Sequence, residues 1–400
     1  MSNVVSDFLK YYRAENPEEF SPAKKFGELM AQEFQDNPHF YFFSPDETTS
    51  NKFDAIFDVE KRAWNLPKEP WDLPNGKNGR IIEMLSENVL FSVMTGHLMN
   101  GETAMMGSYE AFYPIITSQI LQQIKFFNQA DRASWRNKIP AVNLLSTSTC
   151  WRQDHNGYTH QSPALISTLL TVPSDRVNCI FPLDDTTVTP WFKFMLESKN
   201  VVNLATFNKI DEPRFLDPER AETQFKNSGA IILEEYSDDD PDFVFVGVGD
   251  LVMNEVVEAV KMLKEDLPSL RLRCINLAAL SYRAIGPIHD KLSREAFVQL
   301  FTPDKPIIAN FHGYPETLET IFENYTYRGR IRVHGYIEEG STTTPHEMLR
   351  LNGASRYDLA IDVVKALNKP ALIDKYRQLL AENHNYAIKY GVDKFWQLAI

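Results

Sequence analysis

The stretch Ala141–Gln161, AVNLLSTSTCWRQDHNGYTHQ, decides how this chain is read. A strand-like apolar run, Ala141–Leu145, leads through small hydroxyl residues into Trp151–Gln161. That run holds two histidines with an arginine, an aspartate, an asparagine and glutamine. Imidazoles exchange protons near neutral pH, and amide and guanidinium groups donate hydrogen bonds, so the run suits a polyhydroxylated, phosphorylated substrate. The competing reading is a turn whose side chains satisfy its own backbone.

Working outward, further strand-like runs occur at Phe40–Phe43, Val177–Phe181 and Val201–Ala205, with a helical pattern over Arg80–Leu98. Alternation of this kind predicts an α/β fold built on a mostly parallel sheet. The charged, proline-bearing run KIDEPRFLDPER, within 208–227, predicts a domain boundary. Beyond it, Ala230–Leu233, Phe243–Val246, Leu272–Leu277 and Pro306–Asn310 read as strands, and Val256–Leu267, Arg294–Leu300 and Leu372–Tyr390 as helices. The expectation is two three-layer α/β/α sandwich domains, over 39–215 and 228–400, preceded by an N-terminal helical arm over 1–38. In the arm Ser21 caps a helix that has Pro22 at its first position. Phe26, Leu29, Met30 and Phe34 share one face that needs a partner surface.

At 400 residues the chain exceeds what one hydrophobic core usually serves. No apolar run is long enough to span a bilayer, and the first residues lack the pattern of a signal peptide. Cys150, Cys179 and Cys274 form no CxxC pair, which argues against a disulfide framework or a cysteine zinc site and predicts a reducing, cytoplasmic setting. A formal charge of −13 disfavours general nucleic-acid binding, so an anionic substrate needs locally concentrated cations.

Several constellations carry candidate chemistry. In Phe243–Asp250, FVFVGVGD, the third glycine of a dinucleotide fingerprint is replaced by Val252, so a tight strand-to-helix turn is preferred over a cofactor loop. Glu87 lies among Leu85, Val89 and Val93, an apolar stripe. A half-buried carboxylate there holds its proton and can donate a hydrogen bond to a ring nitrogen; the alternative is a capping or solvent-facing residue. GSYEAF puts Tyr109 and Phe112 on one helical face, as a cover for a planar heterocycle or as core. The loops SPDETTSNK and EEGSTTTP are hydroxyl-rich, fit for sugar or phosphate oxygens or for ordinary turns. The acidic run 237–242 reads as a solvated turn.

Taken in order, SPDETTSN, LSEN, GSYEAF, WRQDHNG, HQSP, FTPDKPIIANFHGYP and HGYIEEGSTTTPHEMLRLN resemble the second half of a phosphoketolase, a thiamine diphosphate enzyme of the transketolase superfamily. The resemblance implies that 39–215 is the pyrimidine-binding domain and 228–400 the transketolase C-terminal-like domain. It also implies cleavage of xylulose 5-phosphate or fructose 6-phosphate with phosphate, giving acetyl phosphate and an aldose phosphate, with thiamine as electron sink. Members of the superfamily hold Mg2+ and the diphosphate through a GDG motif in a first domain. No GDG occurs here, so those ligands are expected from a partner chain, in a split enzyme that is a dimer or larger heteromer.

By matched position, Glu87 faces the aminopyrimidine, Tyr109 and Phe112 flank it, and Ser50 and Gln153 contact the substrate. His155, Asn156 and His160 serve its hydroxyls, with the histidines moving protons. Lys209 and His312 lie near the substrate phosphate, and Lys52 stands where the family has arginine, a point charge in place of a planar fork. Departures include Asn88 for a histidine, Glu102 for an expected positive charge, and Ile337 in a segment that is normally more cationic. Two alternatives stay open: a non-catalytic regulatory or interaction subunit, and a split transketolase that passes its two-carbon unit to an aldose.

Overall fold

Val142–Thr147, Val177–Ile180 and Val202–Thr206 are buried along their whole length, as strands covered on both faces by helices must be. Their register is tied by asparagines. Asn178 Nδ2 donates to Asn203 Oδ1 and Asn203 Nδ2 to Asn143 Oδ1, each at 2.8 Å. A one-residue slip breaks this buried chain and turns every apolar side chain to the wrong face. The computed structural model describes residues 19–153 and 156–394; the expected arm up to residue 18 lies outside them.

The larger sheet runs in the order Ala284–Ile285, Ala279–Ser281, Val177–Ile180, Val202–Thr206, Val142–Thr147, Thr103–Tyr109, Phe40–Ser44, Ile81–Glu83, Arg62–Ala63, Asn75–Gly76. It is parallel apart from the two strands at the first edge. Helices Glu87–Met99, Thr117–Ala130 and Ala164–Thr171 cover one face. Pro22–Asp36 and Asp185–Glu197 cover the other. The smaller sheet, Ala230–Ile232, Leu272–Leu277, Phe243–Val248, Ile307–Phe311, Ile331–Gly335, is parallel except at its first strand. Helices Arg294–Phe301 and Pro315–Phe322 pack on one face, and Asp250–Asp266, Arg356–Ala366 and Pro370–Tyr390 on the other. The α/β expectation, with helices on both sides of mostly parallel sheets, holds.

The two sheets are knitted together. Residues 279–285 leave the smaller sheet and extend the larger one. One buried apolar cluster includes Phe43, Leu144 and Leu169 together with Val246, Phe311 and Leu318. The charged segment after Thr206 is tied down as well: Asn208 N–H donates to Asp250 at 2.6 Å, and the N–H groups of Phe215 and Leu216 both donate to Asp184 at 2.9 Å.

The helix Pro22–Asp36 starts at Ser21, whose side chain accepts from Lys24 N–H, with Pro22 at its first turn. Its apolar face finds a surface within the chain: Phe26 stacks on Phe207 with ring centroids 4.3 Å apart. Burying one such phenyl contributes about 1.5–3 kcal/mol. Arg80–Leu98 departs from expectation, because it divides into a strand, Ile81–Glu83, and a helix capped by Ser86 that begins only at Glu87. Its packed stripe is Leu90, Phe91, Met94 and Leu98, whereas Leu85, Val89 and Val93 are 79%, 43% and 37% exposed. A helix apolar on two faces leaves periodicity unable to tell the inner face from the outer. All three cysteines are free and buried. Among the described residues no helix is long and apolar enough to cross a membrane.

Candidate functional site

Tyr109 ends the strand Thr103–Tyr109, and Phe112 lies in the 3-10 turn Glu110–Ile116 that follows. The pair therefore does not share an α-helical face. The turn nonetheless sets the two rings almost parallel, at 15° with centroids 6.0 Å apart. The His160 ring meets Phe112 at 5.1 Å and Tyr109 at 6.2 Å, both inclined. An aromatic wall edged by an imidazole thus forms from two segments about fifty residues apart in sequence.

The SPDETTSNK loop closes over Tyr109. Ser50 Oγ lies 2.9 Å from the Tyr109 hydroxyl, and Glu47 Oε2 accepts the Tyr109 main-chain N–H at 3.0 Å. Asp46 and Lys52 adopt positive φ, 112° and 65°, and Ser148 opposite them has φ 49°. Such conformations cost free energy and persist where surrounding bonds over-determine them. Here Asn51 Oδ1 accepts from Thr147 at 2.5 Å and from Ser148 at 3.3 Å. Lys209 Nζ sits 4.8 Å from the centre of the Tyr109 ring, within cation–π range. Burial lowers the Lys209 pKa; Glu47 pulls it up and Lys52 pushes it down. Burial raises the Glu47 carboxyl to about 7, with Glu87 and Asp46 adding to the rise and the Tyr109 N–H and Asn51 opposing it. Glu87 opens its helix half-buried and close enough to be felt by Glu47.

The two most distinctive loops meet. Gln153 is buried and donates to the Ser148 carbonyl, while its Oε1 accepts from Asn156 at 3.0 Å. Gln161 Nε2 donates to the Ser341 carbonyl at 2.8 Å. Gly157, at φ 72°, leaves room for Thr342: a Cβ there would lie 2.3 Å from Thr342 Oγ1. His155 lies outside the described residues.

Behind this wall runs a buried seam. His312 Nε2 and Glu110 Oε1 are 2.8 Å apart, both almost fully buried. Glu110 Oε2 accepts Cys150 N–H at 2.7 Å, and Trp151 Nε1 donates to the His312 carbonyl at 3.0 Å. Burial opposes charge on His312, but Glu110 and Asp250 outweigh it, so its pKa is held above the ordinary value. Burial and the Glu110 carboxylate push the Cys150 thiol well up. Among the described residues Glu110, Cys150 and His312 are the one histidine, cysteine and carboxylate cluster with ligand atoms within 4.8 Å of one another. Its carboxylate and the imidazole Nε2 are bonded to each other, which makes it a tie between the sheets. Gly249, at φ 118°, lets His312 approach: a Cβ there would meet its Cβ at 2.9 Å. The FVFVGVGD turn is therefore a packing device, as its sequence suggested.

Of the candidates, Ser50, Tyr109, Phe112, His160 and Lys209 are brought together, with Glu87 near Glu47. Gln153 and Asn156 bond to each other, and Lys52 is exposed at the loop's end. His312, expected beside a substrate phosphate, is buried in the seam with its Nε2 against Glu110. Sequence reasoning missed Glu47 and Glu110. Both sit inside motifs already singled out, and a carboxylate between two aromatics, as in GSYEAF, is a signal that could have been followed. Next to Glu87 lies an apolar face with Met84, Leu85, Val89, Val93 and Met99 exposed, and a groove between helices Glu87–Met99 and Thr117–Ala130 lined by Ser92, Thr95, Gln119 and Phe126.

Residues 24–198 match the family described as D-xylulose 5-phosphate/D-fructose 6-phosphate phosphoketolase, and 209–396 match its C-terminal domain. A probable phosphoketolase of Methylococcus capsulatus is 34% identical over 92% of this chain and 47% of its own length. One from Rhodopseudomonas palustris is 37% identical over 85% and 43%. The chain thus spans about half the length of the curated relatives it matches. Among solved structures, a transketolase of Pichia stipitis in complex with xylulose 5-phosphate superposes with a TM-score of 0.67 at 16% identity, covering 91% of this chain and 47% of that one. A structure described as a split gene transketolase, inactive beta4 tetramer, gives 0.61 at 17% identity and covers 87% of this chain and 99% of that one. At these identities the structural likeness shows the fold.

Proposed function

The chain belongs to the phosphoketolase family, and from that premise we propose that it is the pyrimidine-side subunit of a two-chain, thiamine diphosphate-dependent phosphoketolase. The observation that carries the proposal is the wall of Tyr109, Phe112 and His160 backed by Ser50, Glu47 and Lys209, with Glu87 at its edge. The near-parallel rings and the half-buried carboxyl suit a planar aminopyrimidine, which needs stacking on its faces and a hydrogen-bond partner at a ring nitrogen. Mg2+ and the diphosphate are assigned to a partner chain, which the apolar face beside Glu87 would receive; an uncovered apolar surface of this kind marks an interaction site.

When bound, thiamine diphosphate supplies an electron sink for cleaving a carbon–carbon bond next to a ketose carbonyl. This chain's residues do the rest. Glu87 holds the proton at the ring nitrogen, and Tyr109 and Phe112 fix the ring plane. His160 and His155 move protons at substrate hydroxyls, and Gln153, Asn156 and Ser50 orient those hydroxyls. Lys209 and the exposed Lys52 offer positive charge to an anionic substrate. His312 is left out of that role because its imidazole is committed to Glu110.

The test is reconstitution. Purified together with a chain that carries the diphosphate-binding domain, the protein should form acetyl phosphate from xylulose 5-phosphate or fructose 6-phosphate, and Glu87→Gln should abolish it. Transfer to an aldose in place of phosphate would make it a split transketolase. A stable complex without turnover would make it a regulatory subunit, a reading favoured by Glu102, which pairs with His97 at 2.5 Å where a cation was expected.

A further inference from the structure

We propose that Asp393 is a positioning residue of the candidate site: it fastens the end of the hydroxyl-rich loop 338–344, and through that loop it holds the turn Gly157–His160 against the aromatic wall. The inference rests on the reading of Trp151–Gln161 as substrate-facing and deepens it, by naming what keeps that segment in place.

The loop runs from the strand Ile331–Gly335 to the helix Pro345–Leu351 and is held at three points. At its start Asn352 Nδ2 donates to the Glu339 carbonyl at 2.6 Å, and Asn352 Oδ1 accepts the Ile337 N–H at 2.8 Å. In its middle Gln161 Nε2 donates to the Ser341 carbonyl at 2.8 Å, and Thr342 occupies the space that Gly157 leaves. That join does not satisfy itself. Gln161 Oε1 and Thr343 Oγ1 are buried and find no partner among the described residues. The contact between the two loops therefore depends on how firmly the ends of 338–344 are tied.

The third point is Asp393. Thr344 stands just before the helix, where a hydroxyl ordinarily accepts a main-chain N–H of the first turn. Here it makes no such bond and donates to Asp393 Oδ1 at 2.5 Å, while Asp393 Oδ2 accepts the His346 N–H at 2.9 Å. The cap thus comes from a residue almost fifty positions further on. Gly391, at φ 73°, ends the helix Pro370–Tyr390 in the left-handed conformation and lets the chain turn back towards Thr344. Asn383 of that helix closes the network: its Oδ1 accepts the Lys394 N–H at 2.8 Å, which leaves its Nδ2 to face His346 Nδ1 at 2.8 Å. Asp393, Asn383 and His346 are all buried. A buried carboxylate that takes two donors from one short segment holds that segment more tightly than neutral bonds would.

His160 ends the turn Gly157–His160, and its ring edges the wall at Phe112. With Thr344 and the His346 N–H released, Ser341 and Thr342 are free to draw back, and the turn that carries His160 loses its backing.

The test is hydrogen–deuterium exchange of the full chain, comparing wild type with Asp393→Ala. Exchange should quicken about tenfold or more over 156–161 as well as over 338–346, while the strand Val142–Thr147 stays within about twofold of wild type. Thr344→Val removes only one of the two bonds, so it should give the same pattern more weakly, and it decides the question if Asp393→Ala fails to fold. In the reconstituted complex Asp393→Ala should lower kcat/KM for xylulose 5-phosphate about tenfold, because misplaced orienting groups lose transition-state stabilisation. Loosening confined to 338–346, loosening that spreads equally to 142–147, or an active complex whose kcat/KM ignores the substitution overturns the inference. A wild-type complex that forms no acetyl phosphate, with the local loosening as expected, overturns the phosphoketolase reading alone.

Discussion

Tyr109 and Glu110 are neighbours in sequence, yet they serve opposite regions. Tyr109 faces the half-open wall with Ser50, Lys209 and His160, whereas Glu110 turns into the buried seam with Cys150 and His312. In the seam the Glu110 carboxylate is buried and paired with His312 Nε2 and Cys150 N–H, and both sheets contribute. On the wall, and on the apolar face next to it, polar and apolar groups remain uncovered. The difference teaches that buried charges demand partners from within the chain, whereas uncovered groups leave room for the partner proposed above.

The sharpest way to break the seam is His312→Leu, which leaves the Glu110 carboxylate buried without its partner. A loss of about 3–5 kcal/mol is expected from urea unfolding at neutral pH. A folded pKa raised above the unfolded one means that the wild-type tie is fully present below the ordinary histidine value and fades as pH rises through the folded value. The gap between wild type and His312→Leu should therefore narrow towards alkaline pH; a gap independent of pH breaks the account of the seam.

Glu47→Gln tests the wall and should act in the other direction. Its carboxyl is also raised, from an ordinary 4.5 to about 7, so the neutral form is the one the fold prefers. That preference stabilises below 4.5 and is lost as pH climbs through 7. Glutamine cannot ionise, so above pH 7 the variant should be more stable than wild type by roughly 2–3 kcal/mol, with the two converging in acid. Thermal unfolding as a function of pH measures both limbs. A destabilised variant at alkaline pH would show that the Tyr109 N–H contact outweighs the desolvation of the charge.

Much of this contrast was legible in the sequence, and the part that was not has definite causes. The strands at 142–147, 177–180 and 202–206 stand out by their short runs of β-branched and apolar residues, though the buried asparagines that tie their register do not, and Ser21–Pro22 marks a helix start by cap chemistry. Tyr109, Phe112 and Ser50 could be named from their motifs, but their assembly depends on a 3-10 turn that no residue spacing specifies. Helix Glu87–Met99 misled because its two apolar stripes are equivalent in sequence and only packing separates them. His312 stands out in the sequence as a basic residue in a motif, but its carboxylate partner, some two hundred residues away, leaves no local signal. The crossing of residues 279–285 into the larger sheet is tertiary in origin, and local pattern carries no trace of it.

A smaller effect sharpens the wall. Ser50→Ala removes the bond to the Tyr109 hydroxyl at an exposed position, so a loss of only about 0.5–1.5 kcal/mol is expected. Tyr109 fluorescence is obscured by six tryptophans, so the variant is best followed by calorimetry. A larger loss would mean that the loop, with its positive-φ residues, is held chiefly by this one bond.

The smallest expected change in stability is at Leu85, and it is the most informative about the uncovered region. Leu85 is 79% exposed, so Leu85→Asp removes almost no buried apolar surface, and the isolated chain should unfold within about 0.5 kcal/mol of wild type. Its neighbours Met84, Val89 and Val93 are exposed as well, so the aspartate places a charge in the middle of a surface that only another protein can dehydrate. Association, read by sedimentation velocity or by pull-down with the chain that carries the diphosphate-binding domain, should weaken by at least about tenfold, since an unpaired charge at the core of an interface costs more than one such step. Because the two readouts move independently, unchanged folding with lost assembly identifies the face as a docking surface. Unchanged folding with unchanged assembly would place the partner elsewhere, and the contrast between a region closed from within and a region closed from outside would then need a different boundary.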